Sequence, residues 1–266
     1  MLHEGSIAKI WRQLRISQFV DWPGPLIVMY HGLGGSDGLP PNDFAAQCTR
    51  LMELYDVVPL RSAVEALGTP DAKRMASITF DDGYHDFSEI GVPILERLGL
   101  HATLFVPAGK VGGYNDWDEG QRPRRFILDQ EGLASLDPTV VEVGAHGWTH
   151  CRLSGLEPDE LERETLRARQ KLEETVGTPI NLFAYPYGQL DDFDALAAKS
   201  VEAAGFHAAC STHFGRGSYL AERFRLRRVG IESHDCLETF EAKIRGDFDW
   251  QAPKEKIGAW VRARRA

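Results

Sequence analysis

Thr79-Phe80-Asp81-Asp82-Gly83-Tyr84 closes a short apolar, β-prone run (residues 76–80) with two adjacent carboxylates and a glycine turn. A strand hides its backbone in a sheet and releases polar groups at its carboxyl end, and in α/β folds that end is where ligands bind. Two neighbouring aspartates make poor core residues, because an ionised carboxylate is costly to bury unpaired. Asp and Gly are also ordinary turn residues, so the stretch alone reads equally well as a capped strand-to-helix turn. A second stretch, His146-Gly147-Trp148-Thr149-His150, also follows an apolar run and tips the balance toward chemistry.

Outward from this strand, further apolar runs predict strands at residues 26–30, 55–59, 101–106, 140–145, 180–184, 206–211 and 225–231. Helical periodicity predicts helices near residues 43–54, 61–67, 86–98, 129–136, 157–176, 190–204 and 235–245, several of them stopped by a glycine. Such alternation, in seven or eight units, implies parallel strands with helices packed outside. No G-x-G-x-x-G follows the first strand, so a closed or nearly closed β/α barrel fits better than an open dinucleotide-binding sheet. The whole chain, 1–266, reads as one catalytic domain with a core of about 26–231 and an extension at each end. The longest irregular stretch, residues 107–125, carries Trp117 beside Tyr114, Asp116 and Asp118, and reads as a lid or binding loop.

A net charge of −9 argues against nucleic acid as a partner. No stretch approaches the roughly 18 apolar residues of a membrane span. Residues 1–19 mix Glu4, Lys9, Arg12 and Arg15 with apolar residues, unlike a signal peptide, so the expected location is cytoplasmic. The basic end, residues 254–265, reads as a solvated helix end, with peripheral contact to an anionic membrane as the alternative. Cys48, Cys151, Cys210 and Cys236 form neither a disulfide framework nor a zinc ribbon.

In a parallel barrel all strand ends lie on one rim, so Asp81-Asp82, His146…His150 and Tyr185-Pro186-Tyr187-Gly188 can converge on one pocket. Two imidazoles and one carboxylate form a three-ligand site with positions left open, as in a catalytic divalent metal centre, zinc by default. Adjacent Asp side chains diverge, so one can bind the metal while its neighbour removes a proton from the metal-bound water. Together these groups specify metal-assisted hydrolysis of an acyl group.

These residues resemble the polysaccharide deacetylases of carbohydrate esterase family 4, with the NodB homology domain. Thr79-Phe80-Asp81-Asp82-Gly83 is similar to the family's first motif, and His146-Gly147-Trp148-Thr149-His150 to its second, with glycine in the second place. Phe183-Ala184-Tyr185-Pro186-Tyr187-Gly188 looks like a variant of the third. The resemblance implies a distorted (β/α) barrel of about seven parallel strands. It implies Asp81 as general base, Asp82, His146 and His150 as metal ligands, and the Tyr187 backbone N–H as an oxyanion donor. Zinc is the expected cofactor, with cobalt, nickel or manganese compatible with the same ligands.

Three departures stand out. The arginine that braces the catalytic Asp in the usual third motif is replaced by Ala184 or Tyr185. Arg227 or Arg228 is a substitute on offer, but an ordinary surface arginine is the reading favoured here. The fourth motif is not evident, since Asp247-Phe248-Asp249-Trp250 comes too late. His234, in Ile231-Glu232-Ser233-His234, stands closest to the fifth motif's general-acid histidine, with His213 as rival. His31, Trp117 and Tyr185 are the expected substrate contacts. The implied activity is removal of an N-acetyl group from an amino sugar of a polysaccharide or glycan precursor. A sugar deformylase, an O-acetyl esterase and a glycan-binding barrel without turnover are the alternatives.

Overall fold

The computed structural model describes residues 4–13 and 22–255. Eight strands form one sheet: β1 (Leu26–Tyr30), β2 (Asp56–Val57), β3 (Met75–Phe80), β4 (Ala102–Val106), β5 (Val141–Ala145), β6 (Leu182–Ala184), β7 (Ala208–Phe214) and β8 (Leu226–Gly230). β1 pairs in parallel with β8 on one edge and β3 on the other. Seven strands therefore close on themselves in the order β1, β3, β4, β5, β6, β7, β8, the expected parallel barrel. β2 stands outside the ring and pairs with Met75 and Ala76, on the edge that β4 takes over from Ile78. The expected strand at 55–59 shrinks to two residues because Pro59 has no N–H for a ladder and instead leads into the helix Leu60–Glu65.

The ring is distorted where pairing is thin. β5 and β6 share one paired position, Ala145 with Phe183, and the β7–β8 register shifts between Cys210 and Phe214. Side chains alternate between two cores. Ile27, Phe105, Leu182, Ala208, Cys210 and Leu226 fill the barrel interior. Leu26, Val28, Ile78, Phe80 and Leu104 pack outward, into the core shared with the helices. Each such side chain contributes roughly 1.5–3 kcal/mol on burial. On β3 the inward positions grow more polar toward the carboxyl end, from Ser77 to Thr79 and then Asp81 just beyond it. The Ser77 and Thr79 hydroxyls donate to the Val58 and Val28 carbonyls at 2.9 Å, which makes their burial tolerable.

Two helices depart from regularity. After β3, a π-helical turn, Phe87–Gly91, precedes Val92–Leu98, and Gly99 ends the helix in the left-handed conformation. The long helix expected at 157–176 runs as Pro158–Glu162, a π turn at Arg163–Arg167, and Ala168–Val176. The helix expected from 190 begins only at Ala195, because the Asp194 side chain accepts from the Leu196 and Ala197 N–H groups and caps it there.

The 107–125 stretch is tied down rather than free. The Asn115 side chain accepts from the Arg125 N–H at 2.7 Å and donates to the Pro123 carbonyl. The Arg125 guanidinium joins Asp86, Asp37 and the Gly34 carbonyl, which links this loop to the glycine-rich loop after β1. No helix among the described residues is long and apolar enough to cross a membrane. All but the first two residues of the basic end expected at 254–265 lie outside the described residues.

Candidate metal centre and catalytic carboxylate

The chain leaves β3 with its side chains parting. Phe80 points outward and stacks on Tyr30, with ring centroids 5.2 Å apart, while Asp81 turns into the barrel mouth. Asp82 then takes φ +73 and Gly83 φ +69. A Cβ at Gly83 would lie 3.1 Å from Val106, so the turn is both left-handed and close to its neighbour, and glycine suits it.

This turn aims Asp82 at the histidine loop that follows β5. Ligand atoms of Asp82, His146 and His150, all three residues buried, lie within 4.8 Å of one another. Asp82 Oδ1 is 3.5 Å from His146 Nε2 and 3.2 Å from His150 Nε2, yet accepts no hydrogen bond. His146 Nδ1 lies 2.7 Å from the Ala184 carbonyl. A carbonyl only accepts, so Nδ1 carries the proton, and in the neutral ring Nε2 presents its lone pair to the carboxylate. An orphaned carboxylate oxygen facing imidazole lone pairs is an arrangement that a cation between them completes.

The three groups shift one another's protonation. Burial opposes ionisation of Asp82, but His146 and His150 outweigh it and hold the carboxyl well below the usual range. Burial opposes protonation of His146, but Asp82 and Asp81 pull it above its ordinary value. Burial dominates at His150 and pushes it down, leaving a neutral ring with a lone pair to give. Two nitrogens and one oxygen suit zinc and its neighbours in the first transition row.

Asp81 has a different partner. Arg228 on β8 donates from Nη1 to Oδ1 and from Nη2 to Oδ2, both at 2.7 Å. Its Nε donates to the Ser211 carbonyl at 2.9 Å, and Nη1 also reaches the Thr79 hydroxyl. Burial raises the Asp81 carboxyl, but Arg228 overcomes it and holds the group below the ordinary carboxylate range. Arg228 is 0 % exposed, which overturns the expectation of a surface arginine. The signal was present in the sequence: in Leu226-Arg227-Arg228-Val229, a buried strand with two adjacent arginines must turn one of them inward.

The remaining expected residues separate. His31, at the end of β1, bears electrostatically on both Asp81 and Asp82 and lines a cavity of about 290 Å³ with Gly32, Asp37, Arg122 and Glu232. Trp117 stacks on the His150 ring at 4.0 Å and 19°, so its described partner is a ligand of the candidate metal. Tyr187, at φ +58, meets the His150 ring edge-on at 5.0 Å. The Tyr187 carbonyl accepts from Thr212 Oγ1 at 2.7 Å, while its N–H donates to no group among the described residues.

Two expectations are corrected by placement. Tyr185 is fully buried, stacked on Phe193 at 3.8 Å, with its hydroxyl donating to the Phe224 carbonyl at 3.0 Å. One residue before the turn of the strand, it faces the helices and not the mouth, so it holds no substrate. His234 is exposed on the loop after β8 and lines a cleft of about 910 Å³ with Gln189, Glu232 and Lys243, a lining that includes neither Asp81 nor Asp82. Its rival His213 lies in the same cleft wall, where burial, with Arg227 and Arg225 nearby, pushes it down to about 4. Cys151 contributes no ligand atom to the cluster.

Comparison with known proteins identifies the family. Residues 68–209, more than half of the chain, match the family model described as polysaccharide deacetylase. YxkH of Bacillus subtilis (strain 168), assigned by its name to the polysaccharide deacetylases, is 24 % identical over 224 residues, covering 82 % of this chain and 75 % of that protein. Among solved structures, the Streptococcus pyogenes deacetylase PplD in complex with acetate superposes with a TM-score of 0.70 at 20 % identity, covering 84 % of this chain and 99 % of that one. IcaB from Ammonifex degensii superposes at 0.69 and 20 % identity, covering 84 % and 97 %. These two likenesses show a shared fold. From its motifs, its barrel and the family match together, the chain belongs to the polysaccharide deacetylase family and is a carbohydrate deacetylase.

Proposed function

We propose that this protein hydrolyses the N-acetyl group of an amino sugar within a polysaccharide or glycan precursor, with Asp81 as general base. The observation that carries this reading is the bidentate Arg228–Asp81 pair set beside the Asp82, His146 and His150 cluster. Asp82, His146 and His150 would hold a divalent cation, zinc by the chemistry of the donor set. When bound, such a cation polarises the acyl carbonyl and acidifies water.

Asp81, kept ionised by Arg228, accepts a proton from the attacking water as its oxygen bonds to the acyl carbon. Negative charge then develops on the former carbonyl oxygen, to which the Tyr187 N–H, without a partner among the described residues, would donate. The C–N bond breaks as the departing nitrogen takes up a proton, releasing acetate and a free amine. We assign that proton to His31 rather than His234, because His31 follows Tyr30, whose carbonyl accepts from the Asp81 N–H at 3.0 Å, and so leaves β1 beside the turn that carries the two carboxylates.

The test is a screen of N-acetylated, N-formylated and O-acetylated sugars, with product mass read directly. Release of acetate from an N-acetylated amino sugar is expected. Release of formate or O-linked acetate alone would reassign the acyl group, and release of neither would leave a binding barrel.

A further inference from the structure

We propose that Glu164 is a positioning residue for the metal site, its carboxylate setting the shape of the loop that presents His146 and His150. The inference rests on the reading of those histidines as ligands. Glu164 is 3 % exposed and sits within the π turn Arg163–Arg167. Such turns are found often at functional sites. Its Oε2 accepts from the Trp148 N–H at 2.7 Å and the Thr149 N–H at 3.0 Å, and its Oε1 accepts from the Thr149 hydroxyl at 2.8 Å. All three donors lie between the two histidines. Among the described residues no cation pairs with Glu164.

The loop needs such an acceptor. Two histidines four apart on a helix keep their spacing through the helix's own hydrogen bonds. Here the chain is irregular, with Gly147 at φ +74 and His150 at φ +62. Its carbonyls are taken from one side, Gly147 by the Ala108 N–H and Trp148 by the Gly109 N–H, both at 2.9 Å. Its N–H groups are taken from the other side by Glu164. The seat is close: a Cβ on Gly147 would stand 2.9 Å from Glu164 Oε2. Groups that orient ligands from behind typically govern metal affinity by 10–100-fold.

The experiment measures zinc affinity of stripped protein by competition with a chromophoric chelator. It adds the visible absorption of the cobalt-loaded form, which reports ligand geometry. Glu164→Gln keeps the shape but replaces the charged acceptor of the two backbone N–H groups with a neutral amide oxygen and reverses the Thr149 contact, the amide N–H₂ donating to the hydroxyl. It should bind zinc about 10–100-fold more weakly and shift the cobalt spectrum. Thr149→Val removes one of the three bonds with little effect on folding. It should weaken zinc severalfold, and it decides the matter if Glu164→Gln does not fold. Wild-type affinity and spectrum in the folded variants, even with a lowered unfolding midpoint, would reduce Glu164 to a structural role. Wild-type protein that takes up no metal would instead sink the ligand assignment, and this inference with it.

Discussion

Arg228 and Asp81 extend from two strands that flank β1, and the guanidinium of the one spans that gap to take both oxygens of the other at 2.7 Å. A buried ion pair is a poor way to gain stability, because desolvation of two charges offsets their attraction. Its use here is to keep a carboxylate ionised in a place where burial alone would neutralise it.

Arg228→Met should therefore do two things. It leaves a buried charge without a partner, at a cost of about 3–5 kcal/mol, measurable by urea unfolding. The double variant Asp81→Asn/Arg228→Met should recover most of that loss. In the folded wild type Asp81 lies below the ordinary carboxylate range, so the base remains ionised as pH falls until that lowered value is reached. Without Arg228, burial raises it, and the acid limb of kcat/KM should move to higher pH. A variant with unchanged stability and an unmoved limb would remove Arg228 from the account.

Asp81→Asn should retain the metal and lose activity by roughly 10²–10⁴-fold, the usual range for a general base. Metal content by elemental analysis and acetate release measured on the same sample separate this from a folding defect. Equal activity in the two proteins would exclude Asp81 as the base.

Chelation should abolish activity and lower the thermal midpoint, and zinc should restore both. A ligand held at 100 times its dissociation constant stabilises the folded state by about 2.7 kcal/mol. At about 2–4 °C per kcal/mol for a chain near this size, that is a shift of roughly 5–10 °C, readable by calorimetry. His146→Ala should show no metal-dependent shift. A midpoint in that variant that still rises with zinc would contradict the ligand assignment.

Trp117 performs for His150 what the Ala184 carbonyl performs for His146. His150 Nδ1 has no hydrogen-bond partner, and its ring is held by the Trp117 stack. An aromatic contact of this kind contributes about 0.5–1.5 kcal/mol, so Trp117→Ala should weaken zinc by roughly 2–13-fold, and Trp117→Phe by less. Chelator competition gives the answer, and unchanged affinity in Trp117→Ala would leave the stack without this role.

Tyr185→Phe removes one hydrogen bond, to the Phe224 carbonyl. The expected cost is about 1 kcal/mol of stability, with KM unchanged. A marked rise in KM on a glycan would return Tyr185 to the substrate site, against its burial.

The barrel was legible because most of its strands are apolar runs broken by turn residues, and parallel alternation leaves few architectures. The ligand cluster was legible because its members stand at strand ends, which share a rim. Arg228 was misjudged because basic residues are mostly exposed, and only the two-residue period of a buried strand argues otherwise. Tyr185 was misplaced by the same period: one residue from the turn, a side chain faces the opposite side. Glu164 and the π turn beneath it were invisible, because the acidic, amphipathic run at 157–176 reads as a regular helix. Nothing local marks which of its glutamates meets a loop fifteen residues earlier.

Asp82, His150 and Tyr187 are the non-glycine residues with left-handed backbone among the described ones, and each belongs to a different loop of the mouth. Glycine at each would relax the chain, yet at Asp82 or His150 it would delete a group of the cluster, and at Tyr187 it would remove the ring that meets His150. Selection for heat resistance alone would thus tend to dismantle the catalytic rim first. The sturdiest descendant of this sequence would be an inert barrel.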